Sequence, residues 1–506
     1  MQCPKCRCTR LKKNGMAGSG RQRWTCADCN HRTTNPHQEQ ADSIVTFPDK
    51  IPQSKKYIFT AAQNATPAHK GFLSCLKIYA AHIKAKLIII PFRYKNPTSQ
   101  WSADNESHEW WAAETVQYLY DGRFDLNENL SVLADIKTQP TAVDPLTGLE
   151  GISGSSSCIV GHPKITLRTV PTPGHLLPKI MASTGAVTVE NYTDTKAGKK
   201  GEFHHTLGAI VVELDGKRFH QRHILGCKDG SFIDLDKSVS RKGVVKAPPM
   251  EALIMGDTHV DFVDPDVTAA TFGKGGMCQT LKPKNLLWHD LLDFHSANWH
   301  HRGNPFIALA KHQSGMGDVK AEVERACKFV KDHTPRGCKS VLVPSNHPEG
   351  LSRWVKETDW RNTSPENMEF YLETALAVVK STKMTKNGTS TIDPFLYWAD
   401  KMLDDVVLMD RSGSFVVGDH ELGMHGDKGA NGARGNIKQF ARIGPKTFIG
   451  HSHSPGWFEG AKQVGTSSYL HLDYNAGLSS WMQTHGGIYA NGKPVLINII
   501  EGEWRC

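Results

Sequence analysis

Aspartate, histidine and asparagine residues recur in an ordered series in the C-terminal half of this 506-residue chain. The series comprises Asp257-Thr-His259, Asp290, Asn346-His347, His425 and Gly450-His451-Ser-His453. Carboxylates suit hard cations such as Mn or Mg, and imidazoles suit borderline ions such as Mn, Fe or Zn. A mixed set can therefore hold two divalent ions about 3.5 to 4 Å apart on one phosphate. These residue types indicate phosphoester hydrolysis at a dinuclear metal centre.

The chemistry assigns different roles within the series. One carboxylate must bridge the two ions, and we assign that catalytic role to Asp290. His347 stands beside a ligand but is not needed as one, so it is the predicted group that protonates the leaving oxygen or stabilises the developing charge. The remaining predicted ligands are divided between the ions: Asp257, His259 and His453 on the first, and Asn346, His425 and His451 on the second.

Each part of the series follows a short apolar segment that predicts a buried strand. The predicted strands occupy residues 250–255, 285–288, 340–343 and 447–449. In open α/β folds, binding sites form at the carboxyl ends of strands, so these four loops are expected to meet.

The fourth part of the series has two candidate histidines. Residues 414–417 predict a strand, and both His420 and His425 follow it. We favour His425, because the adjacent Gly426 permits a tight backbone, while His420 stays open.

The motifs Gly-Asp257-Thr-His259, Asp290-Leu-Leu-Asp293, Asn346-His347 and Gly-His451-Ser-His453 resemble the calcineurin-like metallophosphoesterase superfamily. The resemblance covers roughly residues 250 to 506. It implies an α/β (α+β) fold in which a two-sheet β-sandwich is flanked by helices. It also implies a dinuclear centre, with attack on phosphorus by a metal-bound hydroxide.

Three departures from the family pattern concern loop geometry. His289 stands where the family has a glycine before the bridging aspartate, and Ser345 stands where it has one before Asn-His. Pro348 separates His347 from Glu349. None of the three removes a ligand.

A cysteine pattern at the N-terminus predicts a second metal site. Cys3-Pro-Lys-Cys6 is followed after nineteen residues by Cys26-Ala-Asp-Cys29, which is the spacing of a zinc ribbon. Four protein thiolates leave no open position for water, so this zinc is expected to be structural. Cys8 is an extra thiol and is not expected to be a ligand.

Basic and aromatic residues near these motifs are candidate DNA contacts. They are Arg21, Arg23 and Trp24 in the ribbon, and His300, His301 and Arg302 soon after the bridging aspartate. Basic groups can bind the phosphate backbone, and an indole can stack on a base. The alternatives are that the ribbon's charges only solvate it, that Trp24 packs against it or that it binds protein. The second cluster could equally cap a helix.

The predicted domains are a zinc ribbon (1–36), a linker (37–50), an α/β domain with a β-rich second half (51–248) and the metallophosphoesterase domain (249–506). The α/β domain should begin with a parallel β-α-β unit whose helix spans 67–83, with Thr66 as its N-cap. Asp215-Gly216 predicts a hairpin turn, and residues 193–205 a mobile loop. No Gly-rich fingerprint indicates a nucleotide, so a structural or oligomerising role is favoured there.

Composition restricts the class of protein. The 39% of hydrophobic residues is enough for large cores, and no apolar run of about 18 residues is present, so neither a membrane span nor a signal peptide is expected. Twelve cysteines, eight of them scattered, fit a reducing cytoplasm. The net charge of +9 is compatible with DNA as a partner without requiring it.

The order of ribbon, α/β segment and metallophosphoesterase is similar to that of phage pre-early proteins that degrade host DNA. The leading hypothesis is therefore a Mn- or Mg-dependent DNase in the bacterial cytoplasm, and the superfamily resemblance adds the expectation of a homo-oligomer. A small-molecule phosphatase or phosphodiesterase would use the same centre without needing a basic ribbon. A non-enzymatic DNA-binding or assembly protein would be expected to have lost some ligands.

Overall fold

The structure is a computed structural model that describes residues 3 to 505 with several gaps. The residues outside the description are 1–2, 4–5, 7, 17–21, 34–46, 49, 94–109, 175, 177, 302, 473–474 and 506. The chain has a mixed α/β fold with several sheets and helices. Most of the predicted linker falls outside the described residues. Within them, no helix is both long and apolar enough to cross a membrane.

The N-terminal segment forms a small antiparallel sheet. Its strands β1 (Leu11–Met16), β2 (Gln22–Cys26) and β3 (Arg32–Thr33) pair in that order. Cys3 and Cys6 of the predicted zinc site precede β1, Cys26 ends β2, and Cys29 lies in the turn after β2.

Residues 50 to 248 begin with the predicted parallel β-α-β unit, which the pairing of β4 with β5 confirms. The order β13-β12-β4-β5 makes a four-stranded sheet in which β12 and β13 form the predicted hairpin. The elements in chain order are β4 (Lys56–Gln63), α1 (Lys70–His82), β5 (Lys86–Phe92), α2 (Ala113–Val116), β6 (Arg123–Asn127), β7 (Leu130–Leu133), β8 (Ser157–Val160), β9 (Thr166–Val170), β10 (Thr172–Pro173), β11 (Lys179–Ser183), α3 (Lys196–His204), β12 (Gly208–Asp215), β13 (Arg218–Leu225), β14 (Phe232–Asp234), β15 (Lys237–Ser240) and β16 (Gly243–Lys246).

Two large sheets organise the rest of the chain. The strands and α-helices are β17 (Ala252–Ile254), α4 (Pro265–Phe272), α5 (Met277–Leu281), β18 (Asn285–Trp288), α6 (Pro305–Ser314), α7 (Val319–His333), β19 (Lys339–Leu342), α8 (Glu349–Glu357), α9 (Pro365–Ser381), β20 (Lys383–Thr385), β21 (Gly388–Ser390), α10 (Pro394–Met402), β22 (Val406–Leu408), β23 (Val416–Val417), β24 (His420–Glu421), α11 (Ile437–Phe440), β25 (Lys446–Ile449), β26 (Gly456–Phe458), β27 (Ala461–Gln463), β28 (Leu478–Ser479), β29 (Thr484–Ile488) and β30 (Pro494–Asn498). Short 3-10 helices lie at Val260–Phe262, Trp299–His301, Trp360–Asn362 and Ala430–Gly432.

The six-stranded sheet has the order β22-β19-β18-β17-β29-β30 and is apolar on both faces. Side chains alternate along each strand. Leu253, Leu286 and Leu342 therefore pack in a core with the helices that flank this sheet. Ile254 and Leu287 instead join the core shared with the ten-stranded sheet. The six-stranded sheet thus lies between a helical layer and a second sheet.

The ten-stranded sheet has the order β23-β24-β25-β27-β26-β9-β11-β8-β7-β6. It joins strands from both sides of residue 249, because β9 pairs with β26 at Leu167 and Trp457. Residues on both sides of the boundary predicted at 248/249 therefore share one sheet and one core.

Two local predictions are wrong. Helix α1 begins at Lys70 rather than residue 67, and its N-cap is His69 rather than Thr66, because the His69 ring accepts a hydrogen bond from the Phe72 N–H. Residues within the predicted loop 193–205 form helix α3. Glycines disfavour a helix. At Gly201 of α3, however, a Cβ would lie only 2.6 Å from the Tyr192 ring, so the absence of a side chain allows the helix to pack closely there.

Candidate metal centre

The predicted ligands meet between the two large sheets. Asp257, Asp290 and Asn346 follow β17, β18 and β19, which are adjacent parallel strands of the six-stranded sheet. His425 follows β24 and His451 follows β25, a parallel pair in the ten-stranded sheet. Each sheet therefore contributes one side of the site.

The first group of ligand atoms comes from Asp257, His259 and His453, all buried. His259 Nε2 lies 3.0 Å from His453 Nε2, and His453 Nε2 lies 3.2 Å from Asp257 Oδ2. The His259 Nδ1 lies 2.9 Å from an Asp293 oxygen, which orients the ring if Nδ1 carries the proton. Nε2 then keeps its lone pair, and three ligand atoms converge on one point, as around a cation.

The second group contains Asp290, Asn346, His425 and His451. His425 Nε2 lies 3.0 Å from Asp290 Oδ2, and His451 Nδ1 lies 3.1 Å from Asn346 Oδ1. The rings of His425 and His451 have their centroids 5.4 Å apart. The structure thus brings His425 into this group. His420 lies instead on β24, with its Nε2 3.2 Å from Lys462 Nζ.

Several of these buried atoms have no hydrogen-bond partner among the described residues. They are both carboxylate oxygens of Asp257, Oδ2 of Asp290, Nε2 of His425 and Nδ1 of His453. Their close approaches therefore lack hydrogen-bond geometry. A buried carboxylate without a partner is costly unless it is paired or coordinates a metal. The donor set of oxygens and imidazole nitrogens fits divalent cations.

The backbone around the site is also restricted. Asp290, His259, His451 and His453 have φ values of 40°, 46°, 75° and 58°, the left-handed region that non-glycine residues seldom adopt. Gly450 leaves space for the cluster, because a Cβ there would overlap Asp257 Oδ1. Strain of this kind persists where the surrounding structure imposes it, and it is concentrated at functional sites.

Electrostatics distinguish Asp290 and His347 from ordinary residues. Burial alone would raise the pKa of Asp290, but His425 and His347 outweigh it and hold that pKa well below its usual range. Burial alone would lower the pKa of His347, whereas Asp290 and Asp293 raise it to about 10. His347 can therefore carry the proton that a general acid needs. Its ligand atoms also come within 4.8 Å of those of His259 and Asp290.

Sequence reasoning gave no role to two residues that the structure places in the cluster. Asp293 contacts both rings: its carboxylate lies 2.9 Å from His259 Nδ1, and its main-chain oxygen lies 3.0 Å from His347 Nδ1, with the carboxylate 3.4 Å from that nitrogen. The sequence does hint at Asp293, because it lies three residues after Asp290. His289 Nδ1 lies 3.2 Å from His425 Nδ1. A residue noted as a departure from the family pattern therefore contacts a predicted ligand.

The four predicted zinc ligands also come together. Cys3 Sγ lies 3.6 Å from Cys29 Sγ, and Cys6 Sγ lies 3.4 Å from Cys26 Sγ. A tetrahedral zinc with Zn–S bonds of about 2.3 Å holds its sulfurs about 3.8 Å apart, so this cluster could bind a structural zinc. Cys8, which was not expected to be a ligand, has its Sγ 3.2 Å from Cys26 Sγ and is a fifth thiol at the cluster.

The candidate DNA contacts have different environments. Arg23 is exposed and Trp24 half-buried, with Lys13 Nζ 6.0 Å from the Trp24 ring centroid. Exposed His300 and half-buried His301 belong to a short 3-10 helix after Asp293. Burial lowers the pKa of His301 to about 4, so this ring is neutral near pH 7. Arg21 and Arg302 lie outside the described residues.

Fold and site together define a mixed α/β protein with a cysteine cluster that could bind zinc and a buried Asp/His cluster that could hold metal ions. Over 474 residues the chain is 31% identical to Protein A1 of Escherichia phage T5, an alignment that covers 90% of this chain and 84% of that protein. The chain therefore belongs to the family of phage T5 Protein A1. No protein-family model matches the chain, and no solved structure matches it.

Proposed function

We propose that this protein is a metal-dependent DNA nuclease of the metallophosphoesterase type. The proposal depends on one observation above all. Ligand atoms of Asp257, His259 and His453 form one group and those of Asp290, His259 and His347 form another, and three of the four carboxylate oxygens of Asp257 and Asp290 lack hydrogen-bond partners in the described part of the chain. Paired sites of this kind suit two divalent ions, Mn or Mg in the first instance, with Fe and Zn as alternatives.

The residues divide the chemistry between them. Asp257, His259 and His453 would hold one ion, Asn346, His425 and His451 the other, and Asp290 would bridge them. Bound divalent ions would supply charge stabilisation and an activated water. The half-buried Asn346, His347 and His451 stand on the more open side of the cluster, where a phosphodiester would enter. His347 would protonate the leaving oxygen, with Asp293 fixing the orientation of its ring.

DNA is favoured as the substrate for two reasons. The ribbon presents exposed Arg23 and half-buried Trp24 beside a cysteine cluster, a combination suited to backbone and base contacts. The family relationship to a phage protein fits action on DNA in the cytoplasm of a bacterial host. A small-molecule phosphodiesterase would share the metal centre, so the substrate has to be decided by assay.

The decisive assay incubates linear and closed-circular DNA with Mn and compares the parent with Asp290→Ala and His347→Ala. Exposed Asp404→Ala and His312→Ala are matched controls. We expect cleavage by the parent and both controls, and its loss in the two site variants at equal folding. Survival of the circle would indicate an exonuclease. If DNA stays intact in every reaction while the parent hydrolyses a small phosphodiester, the substrate is a small molecule rather than DNA.

Metal analysis tests the centre separately from catalysis. We expect about one zinc bound by the cysteine cluster and up to two further divalent ions that are lost in Asp290→Ala. Zinc at the ribbon alone, with no divalent ion elsewhere after dialysis against Mn, would instead support a non-enzymatic DNA-binding protein.

A further inference from the structure

A groove of about 550 Å³ opens beside the predicted ligand Asn346. Trp299 and Arg353 line it, and its volume is in the range of sites that bind small organic groups. A smaller cavity of about 120 Å³ is lined by His347 and His300, and Trp299 and Asn346 border both spaces. One indole therefore stands between the groove and the candidate catalytic histidine.

Trp299 presents a flat and partly accessible surface. Its side chain is 43% exposed, although large aromatic side chains are usually well buried. The Arg353 guanidinium carbon lies 4.2 Å from the Trp299 ring centroid. Arg353 is itself held, because its Nε lies 3.0 Å from both carboxylate oxygens of Glu357. The His300 ring, which borders the smaller cavity, has its centroid 3.4 Å from that of Trp299. The indole is therefore held between His300 and Arg353, and the planar surface that faces the groove is the Arg353 guanidinium backed by the indole.

The segment that carries Trp299 is anchored to the helical layer. Glu322 on α7 accepts hydrogen bonds from the backbone N–H groups of His295, at 2.7 Å, and Ser296, at 2.9 Å. Lys311 on α6 donates to the His295 carbonyl oxygen at 2.5 Å. Because this segment begins at Asp293, which orients His347, the indole and the imidazole are positioned by one fixed loop.

The charges of the groove argue against a polyphosphate ligand. Three basic side chains line it and three acidic ones oppose them: Arg353, Lys356 and Lys428 against Glu349, Glu357 and Asp393. Lys428 Nζ already lies 2.6 Å from a Glu349 oxygen. A balanced, aromatic-walled groove suits a flat and neutral group better than a second phosphate. Nucleobases have this character, and their stacking on aromatic side chains tolerates any sequence.

We propose that the Trp299 groove seats the base of the nucleotide on the His347 side of the scissile phosphate, the nucleotide that departs with the leaving oxygen. This inference rests on the proposed nuclease function. The groove would align the strand so that the leaving oxygen reaches His347, and Trp299 acts there as a binding residue rather than a catalytic one.

The test compares the parent, Trp299→Ala and Trp360→Ala on two single strands of equal length. One strand is uniform thymidine, and the other has tetrahydrofuran abasic residues throughout. Trp360 is 40% exposed and lies in a 3-10 helix outside the groove, so it is a matched control. We expect Trp299→Ala to lower kcat/KM on thymidine roughly 10-fold or more, as for loss of a stacked base. On the abasic strand it should equal the parent, and Trp360→Ala should change neither.

Two results would overturn the groove proposal while leaving the nuclease intact. One is a Trp299→Ala variant that cleaves thymidine at the parent rate. The other is an equal loss on both strands, which would mean that Trp299 supports the loop rather than a base. If the parent cleaves neither these strands nor linear duplex DNA with any divalent metal, the proposed function itself fails.

Discussion

Two clusters of buried charge in this protein differ in how many hydrogen bonds their carboxylates accept. Beside the four-stranded sheet, Arg222 donates to both oxygens of Asp234, at 2.6 and 2.9 Å, and to Glu213 at 2.8 Å. In the candidate metal centre, Asp257 and Asp290 are buried to the same degree. Three of their four oxygens nevertheless lack a hydrogen-bond partner among the described residues.

Both clusters are buried, so what distinguishes a structural cluster from a candidate metal site is whether its carboxylates have hydrogen-bond partners. A buried carboxylate is tolerated when a cation and hydrogen bonds offset its lost hydration. Asp234 receives both, since the Tyr79 hydroxyl also donates to it at 2.6 Å. The carboxylates of Asp257 and Asp290 instead face histidines and each other, and three of their four oxygens accept no hydrogen bond within the described residues, so they offer ligand atoms that a cation could use. The two clusters should therefore lose different amounts of stability on neutral substitution.

The largest expected effect is that of Asp290→Asn on catalysis. We expect DNA cleavage to fall at least about 10³-fold, because metal ions contribute several kcal/mol to such transition states. In chelator, the free energy of unfolding should fall less than in Asp234→Asn, because the lost repulsion with Asp257 partly offsets the lost attraction to His425 and His347 that holds the pKa of Asp290 low. Urea unfolding with and without Mn measures this. Destabilisation by several kcal/mol in chelator would mean that Asp290, like Asp234, mainly stabilises the fold, and the contrast between the two clusters would be wrong.

Asp234→Asn tests the other cluster. We expect it to lower the free energy of unfolding by about 3 to 5 kcal/mol, because it leaves the buried Arg222 without its closest partner. The rate of DNA cleavage per folded molecule should not change. Urea unfolding and a cleavage assay on the folded fraction measure the two quantities. A neutral effect on stability would show that Glu213 alone satisfies Arg222.

Asp293→Asn should have an intermediate effect. The carboxylate lies 2.9 Å from His259 Nδ1 and 3.4 Å from His347 Nδ1, whose closer partner is the Asp293 main-chain oxygen, and it does not belong to the predicted ligands. We expect Mn affinity or activity to fall roughly 10- to 100-fold, as is usual for partners that orient a ligand. Calorimetric Mn titration gives the affinity, and the exposed Asp404→Asn is the control. Unchanged Mn binding together with unchanged cleavage would remove Asp293 from the site.

The local part of this site could be predicted from the sequence, because strand and ligand are encoded together. The apolar residues 285–288 form β18, and Asp290 follows it, as the pattern predicts. The strand at 447–449 is likewise part of β25, just before His451. Such segments need no distant partner to be recognised, since apolar character and length mark a buried strand.

The features that the sequence could not predict depend on contacts between residues far apart in the chain. The pairing of β9 with β26 joins Leu167 to Trp457, and no local pattern predicts that register. The two contacts of Asp293 likewise arise because His259 and His347 come from different strands' loops. At the start of α1, the Thr66-Pro67 pattern favoured a cap that the structure places three residues later. Tertiary packing decided all three.

The smallest expected effect on the Asp/His cluster is that of Cys26→Ser, which tests whether the thiol cluster is a separate metal site. Hydrogen bonds, led by that from the Cys29 N–H, outweigh burial and lower the pKa of Cys26 to about 6, which favours the thiolate that zinc needs. We expect the variant to lose its zinc and to become protease-sensitive near the ribbon. The divalent ions at the Asp/His cluster and the unfolding of the remaining chain should be unchanged, because thiolates and carboxylates select different metals.

Metal analysis beside half-buried Cys227→Ser provides the control. Retention of zinc by Cys26→Ser would show that Cys8 replaces it as a ligand, whereas loss of ions from both clusters would show that the ribbon and the metal centre fold as one unit.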